Sequence, residues 1–221
     1  MLVICIIIRI LKHSLVYYNM TIHNLDNIRW FGESMELTEV IQARTSVRKY
    51  KASPSLGDDI IQSLVELGMR APSPKNRQPW QVIHVTGVEK EYFVNLGFQV
   101  LDQYKERKEH FGSLEISLKA MKIASDLLFV FNPYDHLPDY SRVWEKSDLQ
   151  AIGAFVEHIL LGAKAIGLGT LWMNDVYFMQ CESKAFLNIS HDVQAIIAIG
   201  VPDEPMYPRP RKSIDEVLVK R

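Results

Sequence analysis

The sequence predicts an α+β fold, in which one central mixed sheet is flanked by helices. Short apolar segments bounded by turn residues indicate strands, and longer segments with apolar residues at helical spacing indicate helices. The two kinds of segment do not follow the strict rhythm of a parallel βαβ sheet. The chain has 221 residues, of which 48% are hydrophobic, so it is long enough for one sizeable core.

The first 34 residues are predicted to form an N-terminal arm and lead-in, and residues 35–221 a single domain. The apolar run from Leu2 to Ile8 is far shorter than the roughly 20 residues of a membrane-spanning helix. Its cations follow the run, whereas a signal peptide carries them before it. We therefore expect no membrane anchor but an arm or extra strand that packs on a partner, or a chain that starts at Met20.

The first half of the domain contains two predicted helices, a strand and a third helix. Leu37, Val40 and Ile41 indicate a short helix that ends near Ala43. Ser55 is a candidate N-cap of a second helix, which Pro72 ends. A strand over residues 80–86 and a helix over residues 89–108 follow.

The second half contains three predicted strands and two helices. Residues 127–131 form a buried strand, and the next residues, 133–143, form a polar and aromatic loop. The segment 150–166 is mostly apolar and predicts a long central helix. Further elements are predicted in this order: a strand over residues 170–173, a helix over residues 177–187 and a strand over residues 193–201.

Charge and cysteine content exclude several classes of protein. The net charge is −1, so the sequence does not predict a nucleic-acid partner. Cys5 and Cys181 form neither a disulfide framework nor a zinc pattern, which favours a reducing, cytoplasmic setting. The seven histidines show no metal spacing such as H-x-x-x-H, and we expect no metal site.

The stretch ARTSVRKY, residues 43–50, carries two arginines close to a hydroxyl. Arg44, Ser46 and Arg48 offer planar guanidinium donors and free backbone N–H groups, which suit a phosphate. A solvated basic loop is the alternative interpretation.

The stretch RAPSPKNRQPW, residues 70–80, combines three prolines with closely spaced donors. Prolines stiffen the backbone, and a stiff loop rich in donors suits an anion or a flat polar ring. An ordinary surface loop is equally compatible with this composition.

The stretch AIGLGTLWMND, residues 165–175, has two glycines that permit close approach to the backbone. It is not a dinucleotide fingerprint, because it follows a helix and lacks the third glycine. A glycine helix cap before a core strand is the alternative. The late basic pair Arg209 and Arg211 fits either an anion site or a solvated tail.

The order of these motifs resembles the nitroreductase family of FMN enzymes from about Met35 to Val219. That resemblance implies an α+β homodimer with FMN at the subunit interface. It also implies that the proline-rich loop of one subunit serves the flavin of the other.

The resemblance implies a role for each motif. At the phosphate and pyrimidine end it places Arg44, Thr45, Ser46 and Arg48, with Arg209 and Arg211 closing on the phosphate. On the ring and ribityl chain it places Arg70, Pro72, Ser73, Pro74 and Asn76 of the other subunit. Along the isoalloxazine, where a backbone N–H is expected to face N5, it places Leu171, Trp172, Met173 and Asn174. Trp80 is expected to pack without direct chemistry.

The implied function is electron transfer from NADH or NADPH to a nitroaromatic, quinone or similar acceptor by a ping-pong mechanism. FMN carries the chemistry, so no catalytic side chain is expected. Reductive dehalogenation, oxygen-dependent flavin breakdown and a non-catalytic flavin-binding module are the alternatives. We expect the acceptor lid in residues 98–115 and 133–144, an apolar dimer face of the long helix that includes Phe155, and Lys90 at the surface.

Overall fold

The computed structural model describes residues 35–205 and 207–221, so the predicted arm, residues 1–34, lies outside the described residues. The α-helices of the described part are α1 Leu37–Ala43, α2 Asp58–Gly68, α3 Gly87–Arg107, α4 Leu114–Ile123, α5 Arg142–Ala165, α6 Gln180–Leu187 and α7 Ile214–Val217. Its strands are β1 Gln81–Thr86, β2 Asp126–Phe131, β3 Gly169–Met173 and β4 Val193–Gly200. Two short 3₁₀ helices span Pro74–Asn76 and Asp175–Met179.

The four strands form one sheet in the order β1-β2-β4-β3, and every neighbouring pair is antiparallel. This arrangement, with helices on both faces, confirms the α+β class. The parallel component of the predicted mixed sheet is confined to an isolated bridge between Ser46 and Thr170. β3 therefore lies at one edge of the sheet, next to the segment that follows α1.

The core consists of two apolar layers, one on each face of the sheet. All six residues of β2 are buried, and successive residues point to opposite faces. Leu127 and Phe129 join the layer that contains residues of α3 and α4. Leu128 and Val130 join the layer that contains residues of α2 and α5. Because both faces are covered, β2 has the continuous apolar composition expected of a fully buried strand.

The long helix α5 begins at Arg142, earlier than its apolar pattern predicted. Ser141 caps it, because the backbone N–H of Trp144 donates to the Ser141 hydroxyl oxygen at 3.4 Å. Phe155 is fully buried and stacks on Trp80, with ring centroids 5.0 Å apart. Trp80 is therefore a packing residue as predicted, whereas the placement of Phe155 on an exposed dimer face was wrong.

A further prediction about local structure was wrong. Ser55 does not cap α2, which starts after Gly57 at φ 89°, because the Ser55 hydroxyl donates to buried Asp126 at 2.5 Å. Residues 98–115, the first part of the expected acceptor lid, are mostly helical, since they continue α3 or begin α4, and their role as a lid stays a prediction.

Lys90 is not an ordinary surface residue, because its ammonium group donates to the carbonyl oxygen of Ala124. Partial burial also lowers the pKa of Lys90. No helix in the described ranges has the combination of length and apolarity that crossing a bilayer requires.

Candidate functional site

The basic segment, residues 44–48, is fastened to the edge strand β3. The backbone N–H of Val47 donates to the carbonyl oxygen of Thr170 at 2.9 Å. Val47 is buried against Gly169, where an added Cβ would lie 2.9 Å from the valine methyl groups. The close approach predicted for this glycine is therefore made by a side chain of the same protein, and it brings two of the sequence motifs together.

The two arginines of the basic segment are held by acidic side chains from other parts of the chain. Arg44 follows the last turn of α1, and its Nε lies 3.3 Å from an oxygen of Glu157 on α5. The backbone N–H of Arg48 donates to Glu204 at 2.8 Å, and its guanidinium donates to the Ser46 carbonyl at 3.4 Å. The Arg44 side chain is 20% exposed and its partner Glu157 is 43% exposed.

A cleft of about 200 Å³ opens between Arg48, the end of β3 and α4. The structure brings Arg48 together here with the predicted flavin-facing residues. The cleft is lined by Arg48, Ser113, Ile116, Ser117, Leu171, Trp172, Met173, Asn174 and Asp175.

Asp175 is a cleft residue that ends the stretch 165–175 but was given no role there. Its carboxylate accepts hydrogen bonds from the Ser113 backbone N–H at 3.2 Å, from the Ser113 hydroxyl at 2.9 Å and from the Ser117 hydroxyl. The two serines are one helical turn apart, so they present their hydroxyls on the same face of α4. The spacing of the two serines is visible in the sequence, but no local pattern indicates which carboxylate accepts their hydrogen bonds.

The backbone of Trp172 faces the open edge of the sheet. In an antiparallel pair, backbone groups point alternately toward and away from the neighbouring strand. The Thr170 carbonyl points away from β4, because it accepts from Val47, and Trp172 has the same parity. Leu171 and Met173 instead direct their backbone groups to β4 and bury their side chains. Among the predicted strand residues, Trp172 thus presents its N–H to the edge of the cleft.

The proline loop, residues 72–79, has an unusual backbone conformation. Lys75, Asn76 and Gln78 all have positive φ, at 54°, 54° and 49°. Non-glycine residues in this region cost free energy and persist only where surrounding contacts hold them. One such contact is the hydrogen bond from the Gln78 N–H to the Ser73 hydroxyl oxygen at 3.0 Å.

Arg77 anchors the proline loop to the start of α5. Its Nε and Nη2 donate to the two oxygens of Asp148 at 3.2 and 3.3 Å. The guanidinium carbon also lies 4.3 Å from the ring centroid of Trp144 and 5.3 Å from that of Tyr134. The hydrogen bond to Asp148 raises the pKa of Arg77, so the group keeps its charge.

Asp148 is fully buried and belongs to a wider polar network. The amide nitrogen of Asn132 donates to Asp148 at 3.2 Å and to the Tyr140 hydroxyl oxygen at 2.9 Å. Burial, followed by the negative charge of Asp148, raises the pKa of Tyr140 to about 12. Asp148 therefore has a structural role, because its bonds to Arg77 hold the loop in place.

The structure does not bring the proline loop to the basic segment within one chain. Arg77 pairs with Asp148, whereas Arg44 pairs with Glu157, nine residues later in α5. Nine helical residues span about 13.5 Å along the axis and about two and a half turns, so the two carboxylates project to opposite sides. In the described ranges, no hydrogen bond or ion pair joins residues 72–79 to residues 44–48.

The other predicted residues lie at the surface. Pro72, Pro74 and Asn76 are exposed, as is Arg70 in the turn after α2. Arg209 and Arg211 are exposed in the tail, residues 207–221, which begins shortly after Glu204. Thr45 is partly buried within the basic segment.

The family model described as the nitroreductase family matches residues 41–201 of the chain. The chain belongs to the nitroreductase family. The matched span contains the basic segment, the proline loop and β3, whereas Arg209 and Arg211 lie outside it.

The chain is also similar to individual curated proteins and, in its fold, to a solved structure. The chain is 27% identical to the 4-nitrobenzoate reductase of Nocardioides sp. (strain LMS-CY), over 72% of this chain and 73% of that protein. It is 24% identical to the iodotyrosine deiodinase of Thermotoga neapolitana, over 83% of this chain and 96% of that protein. The crystal structure of an FMN- and NADPH-dependent nitroreductase from Sphigopyxis sp. strain HMH matches its fold with a TM-score of 0.71, at 19% identity, over 85% of this chain and 99% of that chain.

Proposed function

We propose that the protein is an FMN-dependent oxidoreductase that takes electrons from NADH or NADPH and reduces a nitroaromatic, quinone or similar acceptor. The observation that carries the proposal is the attachment of the basic segment to the free edge of β3, beside a cleft. The cleft thereby receives the guanidinium group of Arg48, while Arg44 lies four residues earlier in the same segment and pairs with Glu157.

The residues present fit FMN. Arg44 and Arg48 supply charge-assisted donors for its phosphate, with the Ser46 hydroxyl beside them. The N–H of Trp172 is the donor that we assign to the ring edge, since it faces away from β4. When bound, FMN supplies the redox chemistry, taking a hydride from the nicotinamide and passing electrons to the second substrate. Two substrates that share one accessible face must alternate, so we expect ping-pong kinetics.

The proposal includes a homodimer in which the proline loop of each subunit completes the flavin site of the other. The support is the separation of the two motifs on opposite sides of α5, since one chain alone supplies half of the predicted contacts. The C-terminal tail also supports a homodimer, because four of its apolar side chains are more than half exposed. They are Ile214 (68%), Val217 (67%), Leu218 (53%) and Val219 (78%). Such a run of exposed apolar residues is typical of an interaction surface. We assign Arg209 and Arg211, on the same tail, to the phosphate of the site that it reaches.

Reductive dehalogenation of an aromatic ring is the second candidate function. The specific observation in its favour is the match to an iodotyrosine deiodinase over nearly all of that protein. Both functions use the same cofactor site and differ in the second substrate. The proposal also places the enzyme in the cytoplasm, and the exposed free thiol of Cys181 is consistent with a reducing compartment.

The experiment is anaerobic reduction of the purified protein loaded with FMN. Bleaching of the flavin absorbance by NADH or NADPH, followed by reoxidation on addition of a nitroaromatic or quinone, is the expected result. Reoxidation by a halophenol alone, with halide release, would select the dehalogenase. A protein that binds FMN but is never bleached would be a binding module. One that takes up no FMN would overturn the proposal.

The dimer is tested with charges placed in the tail. The double substitution Val217→Asp and Leu218→Asp should shift the protein to monomers and release FMN, because stability and cofactor binding are then linked through association. Val88→Asp, at a position 80% exposed at the start of α3, is the matched control. Light scattering measures the molecular mass of the protein. Flavin fluorescence measures the amount of FMN that is released. A monomer that keeps FMN tightly bound would show that the loop serves its own chain.

A further inference from the structure

Three potential metal ligands converge outside the cleft and the proline loop. Asp135 and His136 lie in the loop between β2 and α5, and His191 lies in the turn before β4. One ligand atom from each residue lies within 4.8 Å of the other two. Asp135 and His136 are adjacent but His191 is distant in the chain, so no local spacing in the sequence revealed the cluster.

The geometry of the cluster is close to that of a tetrahedral metal site. Nδ1 of His191 lies 2.5 Å from Oδ1 of Asp135, and Nε2 of His136 lies 3.7 Å from the same oxygen. Tetrahedral ligands with metal bonds near 2.0–2.1 Å are separated by roughly 3.3 Å. The two observed separations lie on either side of that value, and the separation between the two histidine ligand atoms is at most 4.8 Å, so side-chain adjustments of roughly an ångström would admit an ion.

Neighbouring groups orient these ligands. The backbone N–H of Asp192 donates to the second carboxylate oxygen of Asp135 at 3.3 Å, which turns the first oxygen toward the imidazoles. The ring of His191 is stacked between Phe131 and His136, at centroid distances of 5.7 and 5.0 Å. Partners that fix the orientation of a ligand in this way are typical of metal sites.

The cluster also offers a further ligand and a path for entry. The carbonyl oxygen of Ser190 lies 2.8 Å from Nε2 of His136, within reach of the same ion. The side chains of Asp135 and His191 are 16% and 23% exposed, whereas that of His136 is 56% exposed. An ion can therefore arrive from solvent at His136 and be held against the two less exposed ligands.

We propose that Asp135, His136 and His191 bind one divalent transition-metal ion of the zinc type. Two imidazoles and one carboxylate favour Zn²⁺, Co²⁺ or Ni²⁺ over Mg²⁺ and Ca²⁺, which prefer oxygen ligands. The Ser190 carbonyl or water completes the coordination. The ion is structural: it joins the β2–α5 loop to the turn before β4. That loop also carries Tyr134, which packs on Arg77, so the ion stabilises the support of the proline loop.

The test is titration of chelator-treated, dialysed protein with Co²⁺ and, separately, with Zn²⁺. We expect one ion per chain, with visible Co²⁺ absorption of a four-coordinate site and a higher thermal midpoint that chelator reverses. His136→Gln and His191→Gln should each weaken binding at least tenfold. Because the side chain of His136 is exposed, its substitution should leave the fold intact, which unchanged circular dichroism and FMN content would verify.

Matched controls separate this site from other ligands. His110→Gln removes an exposed histidine elsewhere and should leave metal affinity unchanged. Cys181 is an exposed thiol, so the titrations are repeated in a Cys181→Ser background and should give the same affinity. Metal binding that neither histidine substitution weakens, or no binding at all, would show that the three residues form only a hydrogen-bonded network and would overturn the proposal.

Discussion

The proline loop and the basic segment each hold an arginine against a carboxylate. The two arginine side chains are similarly exposed, at 23% for Arg77 and 20% for Arg44, but their partners differ in burial. Arg77 of the loop lies against two aromatic rings and pairs with Asp148, whose carboxylate is fully buried. Arg44 of the basic segment pairs with Glu157, whose side chain is 43% exposed. A buried pair is costly to break and holds a segment in position, whereas an exposed pair contributes little to stability. The difference predicts that Arg77 contributes more to stability than Arg44, and the proposed function assigns Arg44 to the cofactor phosphate.

The largest expected effect is the loss of the buried pair. Arg77→Ala should lower the free energy of unfolding by about 3–5 kcal/mol, because Asp148 is left buried without its cation. Urea unfolding of FMN-free protein, at fixed protein concentration, measures it. Arg107→Ala is the control, since that side chain is 64% exposed and only 4.0 Å from its partner Glu109. A loss below about 1 kcal/mol would contradict the anchoring role.

Arg44→Ala should have the reverse profile. FMN binding should weaken by about 1.5–3 kcal/mol, the typical contribution of a charge-assisted hydrogen bond. The stability of the FMN-free protein should change by less than about 1 kcal/mol. FMN binding is measured from the flavin retained after dialysis and by fluorescence titration. Stability is measured by urea unfolding. Arg107→Ala again serves as control, and equal flavin affinity in variant and parent would remove Arg44 from the site.

Asp126 is a second buried carboxylate, and it contacts the residues that precede α2. Asp126 accepts hydrogen bonds from His84 at 2.8 Å, Ser55 at 2.5 Å and the Leu56 N–H at 3.0 Å. Burial opposes ionisation of Asp126, but these hydrogen bonds outweigh it and lower the pKa. The folded state thus binds fewer protons than the unfolded state. The resulting stabilisation is present above the unfolded value of about 3.9 and is lost as pH falls through the lower folded value.

In the Asp126→Asn variant, the free energy of unfolding should therefore fall less steeply than in the parent as the pH is lowered from about 4 to about 3. This interval lies around and below the unfolded pKa of about 3.9. Urea unfolding across this interval gives the slope for variant and parent. Asp102→Asn, an exposed position on α3, should keep the parent slope. An Asn variant as steeply dependent on acid as the parent would mean that Asp126 is not the titrating group.

The smallest expected effect concerns Glu204, which joins the start of the tail to the basic segment. Glu204→Ala should cost about 1 kcal/mol of unfolding free energy or less, because it removes the acceptor for the backbone N–H of Arg48. Glu204→Gln retains an acceptor oxygen and should lie closer to the parent in the same urea titration. If the two variants were indistinguishable, the contact would depend on charge and not on the accepting oxygen.

The sequence predicted the parts of the fold that depend on local pattern. The apolar runs of β2 and β4 and the helical spacing of α1 are local, and each was recognised within a residue or two of its bounds. The start of α5 was missed because its first turns are polar and depend on the Ser141 cap. α4 was missed because Leu114 and Leu118, both fully buried, alternate with serine and charged residues.

The sequence predicted the motifs of the site but not the side chains that hold those motifs in place. The basic segment and β3 were identified separately, and the structure joins them through Val47 and Gly169. The partners Asp148, Glu157 and Asp175 are far from their arginines or serines in the chain. No periodicity or spacing indicates a pairing that only the tertiary fold creates.

The open edge of β3 also has a consequence for handling the protein. Unpaired backbone groups on an apolar edge strand can recruit strands from other molecules and so initiate aggregation. Beyond Thr170, β3 presents Trp172 on such an edge, and a bound cofactor there would occupy the position that an intruding strand needs. We expect the yield of dispersed protein on expression to follow riboflavin supply, with cofactor-starved material collecting in inclusion bodies.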